Sequence, residues 1–169
     1  MRRAPLAAAV LIAVACAPAM SAPEEAPPAV QPNHASFGTD ANLAASAPDA
    51  ILRYADHPRG FAELRLPQGQ GPFPLAVIFH GGCWKTGIAS QAYMAPLATR
   101  WQQLGIATLN VDDREVGDGG GWPGSFTDWA ASARLIDAVA ATYPIDRARV
   151  TLVGHSAGAL PALWLARGD

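Results

Sequence analysis

Residues 149–169 read RVTLVGHSAGALPALWLARGD, and the fold turns on how this stretch is taken. The run "VTLV" is short, apolar and rich in β-branched residues, which is the texture of a buried strand. The residues after Gly158 open a helix. Between the two lies Gly154-His155-Ser156-Ala157-Gly158. A GxSxG pentapeptide is a weak signal alone, but a buried strand directly before it and a helix directly after it are the setting a nucleophile elbow requires. Small flanking residues allow the tight turn, and the turn lifts the Ser156 hydroxyl clear of the sheet. The rival reading, a glycine-rich turn that binds phosphate, lacks any GxGxxG or P-loop pattern here.

Working backward, the same texture recurs. "LAVIFH" (75–80) and "IATLNV" (106–111) are continuous apolar runs of strand length, as expected of strands covered on both faces. Between them Tyr93, Leu97, Trp101 and Leu104 recur at helical spacing behind Ser90 as candidate cap, and Gly105 ends the segment. After "IATLNV" comes a glycine-rich loop. Trp129, Ile136, Val139 and Tyr143 then mark one face of a second helix, with Ser125 or Thr127 as candidate cap and Pro144 as terminator. Further upstream, "ILRYADHPRGFAELRLPQGQGPFP" reads as a hairpin of short strands. Alternation of strand and helix at this spacing predicts an α/β fold, a mostly parallel sheet with crossover helices.

A second motif, His80-Gly81-Gly82-Cys83-Trp84, stands at the end of "LAVIFH". Loops leaving the carboxyl ends of parallel strands gather on one edge of the sheet, so this loop and the Ser156 turn are expected to meet. Two glycines let backbone N–H groups approach a substrate oxygen. The amides of Gly82 and Cys83 with that of Ala157 are therefore candidates for an oxyanion hole, at about 3 kcal/mol per donor.

With HGGCW and GHSAG both in place, the chain resembles the α/β-hydrolases, specifically the esterase-like group with an HGGxW loop that includes carboxylesterases and kynurenine formamidase. The resemblance covers roughly residues 51 to 169 and takes in "GDGGGWPGSFTDW" as the loop and helix start before the nucleophile strand. It implies Ser156 as nucleophile and Gly82 and Cys83 as oxyanion donors. Relatives commonly carry Tyr-Arg where this chain has Asp113-Arg114. In this family the acid and the histidine follow the serine along the chain, so both partners are expected after Asp169, and the chain reads as the N-terminal part of a hydrolase whose C-terminal strands are missing.

The four histidines are His34, His57, His80 and His155. His155 adjoins Ser156 on a turn that points neighbouring side chains apart, His80 starts the oxyanion loop and is expected to brace it, His34 lies in a linker and His57 in the early hairpin. Cys83 reads as a small side chain on a loop that works through its backbone, rather than as a catalytic thiol. Trp122 is a candidate for lining an acyl or alcohol pocket, with a core anchor as the alternative. Arg114 and Asp128 are expected to form an internal ion pair in preference to binding a charged substrate. Asp112, Asp113 and Asp118 show no metal-ligand spacing with histidines. No metal and no cofactor is expected.

Half the 169 residues are hydrophobic and the formal net charge is −2, enough apolar matter for a core and too little positive charge for a nucleic-acid partner. The start, "MRRAPLAAAVLIAVACAPAMSA", sets two arginines before a short apolar run and small residues, the layout of a signal peptide over residues 1–21 with cleavage after Ala19 or Ser21. That run is too short for a stable membrane span. Lipidation at Cys16 is a lesser alternative, and the expected location is secreted or periplasmic. Removal of residues 1–21 leaves Cys83 as the one cysteine, so no internal disulfide is expected. Residues 22–49, rich in Pro and Ala, read as a disordered linker ahead of a hydrolase domain over 50–169.

The expectation is thus a serine hydrolase that cleaves a small-molecule carboxylic ester, or an amide, through an acyl-serine. The alternatives are a non-catalytic hydrolase-fold protein and a peptidase of the prolyl-oligopeptidase type, whose large partner domain has no room here. Substrate and oligomeric state are not set by the sequence.

Overall fold

The computed structural model describes residues 10–12 and 44–168. In chain order the elements are β1 (Val10–Ile12), β2 (Ala50–Arg53), β3 (Phe61–Arg65), β4 (Phe73–Phe79), α1 (Gln91–Gln103), β5 (Ala107–Val111), α2 (Gly124–Thr142), β6 (Ile145–His155), a single 3₁₀ turn (Ser156–Gly158) and α3 (Ala159–Ala166). They form one sheet in the order β1-β6-β4-β5-β3-β2. Strands β1, β6, β4 and β5 run parallel, and the β2–β3 hairpin joins β5 antiparallel.

Why the central strands read as unbroken apolar runs is plain from their two faces. Leu75, Val77 and Phe79 of β4, with Leu109 and Val111 of β5, pack with Trp129, Ile136 and Val139 of α2 and Ala162 of α3. The alternate residues Ala76 and Ile78 turn to the opposite face and meet Met94 and Ala98 of α1. Period-two alternation thus feeds two cores, one under α2 and α3 and one under α1. The α/β fold with a mostly parallel sheet and crossover helices is observed.

Two helices differ in detail from their sequence patterns. Ser90 does cap α1, accepting from the Ala92 N–H, and the helix stops at Leu104 before Gly105. Its buried face, however, is Met94, Ala95, Ala98 and Thr99. Tyr93, Leu97 and Trp101 are half-buried at the flank and Leu104 is exposed. Neither Ser125 nor Thr127 caps α2, which starts at Gly124 behind Pro123 without a side-chain cap. The Ser125 hydroxyl is used elsewhere, donating to the Arg114 carbonyl and accepting from the Gly121 N–H.

Residues 44–49, counted with the linker from their composition, lie against the domain. Ser46 bonds to Thr99 and Gln102 of α1 and its carbonyl receives the Arg65 guanidinium, while Asp49 accepts from the Leu66 N–H. The remainder of that segment, residues 22–43, and the signal-peptide reading apart from Val10–Ile12 lie outside the described residues. No described helix is long and apolar enough to cross a membrane.

Candidate active site

The elbow is built from backbone crowding. Ser156 has φ +52, the left-handed region that costs an ordinary residue about 1–2 kcal/mol. The turn around it is too tight for side chains at its flanks. A Cβ on Gly154 would stand 2.1 Å from the Gly158 carbonyl oxygen, and one on Gly158 would stand 2.3 Å from that of Phe79. The glycines of GxSxG are therefore demanded by contact between β6, β4 and the start of α3. Ala157, buried just behind the serine, presents its N–H at the head of the 3₁₀ turn and α3, where backbone donors are unpaired and the dipole favours negative charge.

The loop after β4 comes to the same edge. A Cβ on Gly81 would lie 3.2 Å from the Ser156 Cβ and 2.8 Å from His155 Nδ1, so the loop passes directly over the elbow. Gly82, Cys83 and Trp84 then take φ of +123, +52 and +56. Three left-handed residues in succession need external support. It comes from Lys85 N–H to the Gly82 carbonyl, from Val116 N–H to the Trp84 carbonyl and Thr86 N–H to the Val116 carbonyl, and from the Trp84 indole N–H, which donates to the Ala157 carbonyl at 3.0 Å. That last bond ties the two motifs together. Cys83 is exposed. Beside the elbow a cavity of about 10 Å³, lined by Gly81, Trp84, Trp129, Ala157, Gly158 and Pro161 among others, has room for about one water.

Under the loop lies a dense set of ionisable groups. His80 is buried, with Nδ1 against the Gly81 carbonyl and Nε2 at 3.3 Å from Asp112 and 3.5 Å from Asp113. The Nε2 contacts are poorly aligned as hydrogen bonds, so the attraction is mainly one of charge. Burial pulls the His80 pKa down, but Asp112 and Asp113 outweigh it and hold the ring above its usual value. Asp113 is pushed up to about 6 by burial, with His80 and the 2.9 Å bond from the Trp129 indole N–H pulling the other way. This chain thus has a buried carboxylate bonded to a core tryptophan directly before Arg114. Arg114 forms the expected internal pair with Asp128 through two nitrogens at 2.7 and 3.0 Å. His57 Nε2 reaches the same carboxylate at 3.1 Å.

Ser156, Gly82, Cys83 and Ala157 therefore share one edge of the sheet. Trp122 does not join them as a core anchor: it is 81% exposed, edge-on to Phe126. His80 braces the loop. His155 packs its ring on Tyr93, and burial holds its pKa below the usual value. His34 lies outside the described residues. Sequence reasoning passed over the indole bond of Trp84 and the Asp112–Asp113–Glu115 cluster. The only available signal was "DDRE", four charges in a row directly after a buried strand.

A left-handed serine between a parallel strand and a helix, facing a glycine loop from the adjacent strand, defines the α/β-hydrolase fold. Residues 63–167 match the family model BD-FAE, an α/β-hydrolase-type esterase domain, and the chain belongs to that family. Among solved structures it is similar to a bifunctional GH43-CE from Bacteroides eggerthii, at 26% identity and TM-score 0.56 over 66% of this chain and 16% of that one. A bacterial heroin esterase aligns at 28% identity and TM-score 0.57, over 63% of this chain and 34% of that one. An esterase from the Planctomycetes species Thermogutta terrifontis shares the fold at 21% identity and TM-score 0.58, over 67% and 43%. The chain spans less than half the length of each. No curated protein matches it significantly.

Proposed function

We propose that this chain carries the nucleophile and the oxyanion hole of a serine esterase that acts on a small-molecule carboxylic ester. The observation that carries the reading is the left-handed Ser156 with Gly81 packed over it and Trp84 bonded to the Ala157 carbonyl. Ser156 Oγ attacks the ester carbonyl carbon as its proton passes to a base. The N–H groups of Gly82, Cys83 and Ala157 receive the charge that develops on the carbonyl oxygen, each at about 3 kcal/mol. Collapse of the tetrahedral intermediate expels the alcohol, and water then releases the acid from the acyl-serine.

The described bonds of His57 and His80 lead to Asp128, Gly81 and the Asp112–Asp113 pair. We therefore assign the base and its carboxylate to the part of the fold that this chain does not span in its structural relatives. Without them, the 169 residues alone are expected to turn over ester poorly or not at all. In the complete enzyme, Ser156→Ala should abolish hydrolysis of p-nitrophenyl acetate and labelling by a fluorophosphonate, with thermal stability unchanged. Turnover that survives the substitution would place the nucleophile elsewhere.

We also propose export, on the arginine pair, apolar run and small residues of positions 1–21. Mass spectrometry of protein from an exporting host should find the mature chain starting between Met20 and Pro23; an intact Met1 refutes this.

A further inference from the structure

The loop that follows β5 is held from one point. Arg59, in the turn between β2 and β3, donates from Nε to the Asp113 carbonyl at 2.7 Å and from Nη2 to Asp112 Oδ1 at 3.0 Å. The same Nη2 lies 3.1 Å from Glu115 Oε2, and Nη1 lies 3.4 Å from Asp118 Oδ2. Each of these acceptors belongs to residues 112–118. That segment in turn is laced to the oxyanion loop in both directions, by Val116 N–H to the Trp84 carbonyl at 2.8 Å and Thr86 N–H to the Val116 carbonyl at 3.0 Å. Asp118 also receives the Thr86 hydroxyl. Behind the loop itself, Glu115 Oε1 stands 3.1 Å from where a Cβ of Gly82 would be.

The charge balance makes this arrangement conditional on the guanidinium. Asp112, Asp113 and Glu115 are all buried. His80 faces Asp112 and Asp113 from β4, Arg114 is turned to Asp128, and Trp129 of α2 donates to Asp113. Arg59 alone among the described ion pairs bridges Asp112, Glu115 and Asp118. Buried carboxylates deprived of their cation repel one another and seek water. The segment that would move is the one that shapes the oxyanion hole.

We propose that Arg59 is a positioning residue for the oxyanion hole, gathering Asp112, Glu115 and Asp118 so that residues 112–118 hold Gly82, Cys83 and Trp84 in their left-handed turn over Ser156. The inference rests on the esterase reading. A lysine offers one charged point where the guanidinium offers a fork, so it spans fewer of these acceptors.

The test compares Arg59→Gln, Arg59→Lys and the charge-balanced double variant Arg59→Gln/Glu115→Gln with the unaltered complete enzyme. Displacing the donors lowers kcat on p-nitrophenyl acetate by about 100-fold in Arg59→Gln while KM changes little, with Arg59→Lys intermediate. Amide hydrogen exchange supplies a readout independent of turnover. Protection at Thr86 and Val116 should fall about tenfold or more in Arg59→Gln and in the double variant, while Val77 and Leu109 in the sheet exchange as before. Unchanged protection at Thr86 and Val116, or an equal loss at all four amides, overturns the proposal, as does an unchanged kcat. Should the unaltered enzyme show no Ser156-dependent turnover, the esterase reading fails and the exchange measurement still decides what Arg59 holds.

Discussion

Asp113 is a buried carboxylate bonded to the Trp129 indole, and its chemistry has a measurable sign. Folded, the carboxyl titrates at about 6 against an ordinary 3.8, because burial outweighs the help of His80 and Trp129. The folded state therefore binds a proton that the unfolded chain has released, and stability falls as pH rises from about 4 through 6. His80, also held above its usual 6.5, contributes with the same sign at higher pH, since what it adds when protonated is lost as pH rises above 6.5 through its folded pKa. Asp113→Asn keeps an acceptor for the Trp129 indole and removes the buried charge. Its melting temperature should exceed that of the unaltered protein above pH 7, by a stability difference of at most about 3 kcal/mol, and the advantage should vanish near pH 4. A series of thermal melts across pH checks this; a lower melting temperature at pH 8 would contradict it.

At the scale of elements, local chemistry predicts ends and periods well and tertiary use of side chains poorly. Ser90 caps α1 as its position indicates because a cap needs only its own helix. Ser125 fails as a cap for α2 because its hydroxyl bonds to Arg114 and Gly121, partners that exist only once the loop has folded back. The oxyanion loop shows the same division. Its glycines were legible, whereas the indole bond that fixes it to the nucleophile turn joins residues 73 positions apart. Trp84→Phe keeps an aromatic ring at this position and deletes that bond. The bond holds the oxyanion loop on the nucleophile turn, so kcat of the complete enzyme should fall about 3–10-fold with KM little altered, and the melting temperature should fall by no more than the few degrees that one net hydrogen bond of about 0.5–1.5 kcal/mol contributes. Steady-state kinetics beside a thermal melt separates this outcome from general unfolding, in which the melting temperature would fall by much more than a few degrees.

For the molecule as a whole, the sheet's two margins differ. The β2–β3 hairpin finishes one side with a short, half-exposed strand. On the other, β6 runs from Ile145 to His155, and among the described residues its outer edge is paired only at Val153, Gly154 and His155, by β1. The neighbouring α3 leaves Leu160 and Leu163 exposed. An open, partly apolar strand edge beside exposed leucines recruits other chains. The 169-residue chain purified by itself should thus associate at micromolar concentration, and more so when residues 1–21, which include β1, are removed. Light scattering that finds a stable monomer in both forms would contradict this.

Strand, helix and elbow were readable in the sequence alone because each depends on periodicity or on a turn a few residues long. Two-sided burial leaves its mark on β4 and β5 as continuous apolar runs, the crowding of β6 against the start of α3 leaves its mark as Gly154, and the crowding of that turn against the end of β4 leaves its mark as Gly158. What only the tertiary structure decided is how the oxyanion loop is held: Arg59 among Asp112, Glu115 and Asp118, His80 over Asp113, and the Trp84 indole on Ala157. Charged and polar groups so far apart in the chain have no shared period to reveal them. They become partners because the sheet order sets the β2–β3 turn and the ends of β4, β5 and β6 on one edge, where burial makes each unpaired charge costly and so selects the pairings.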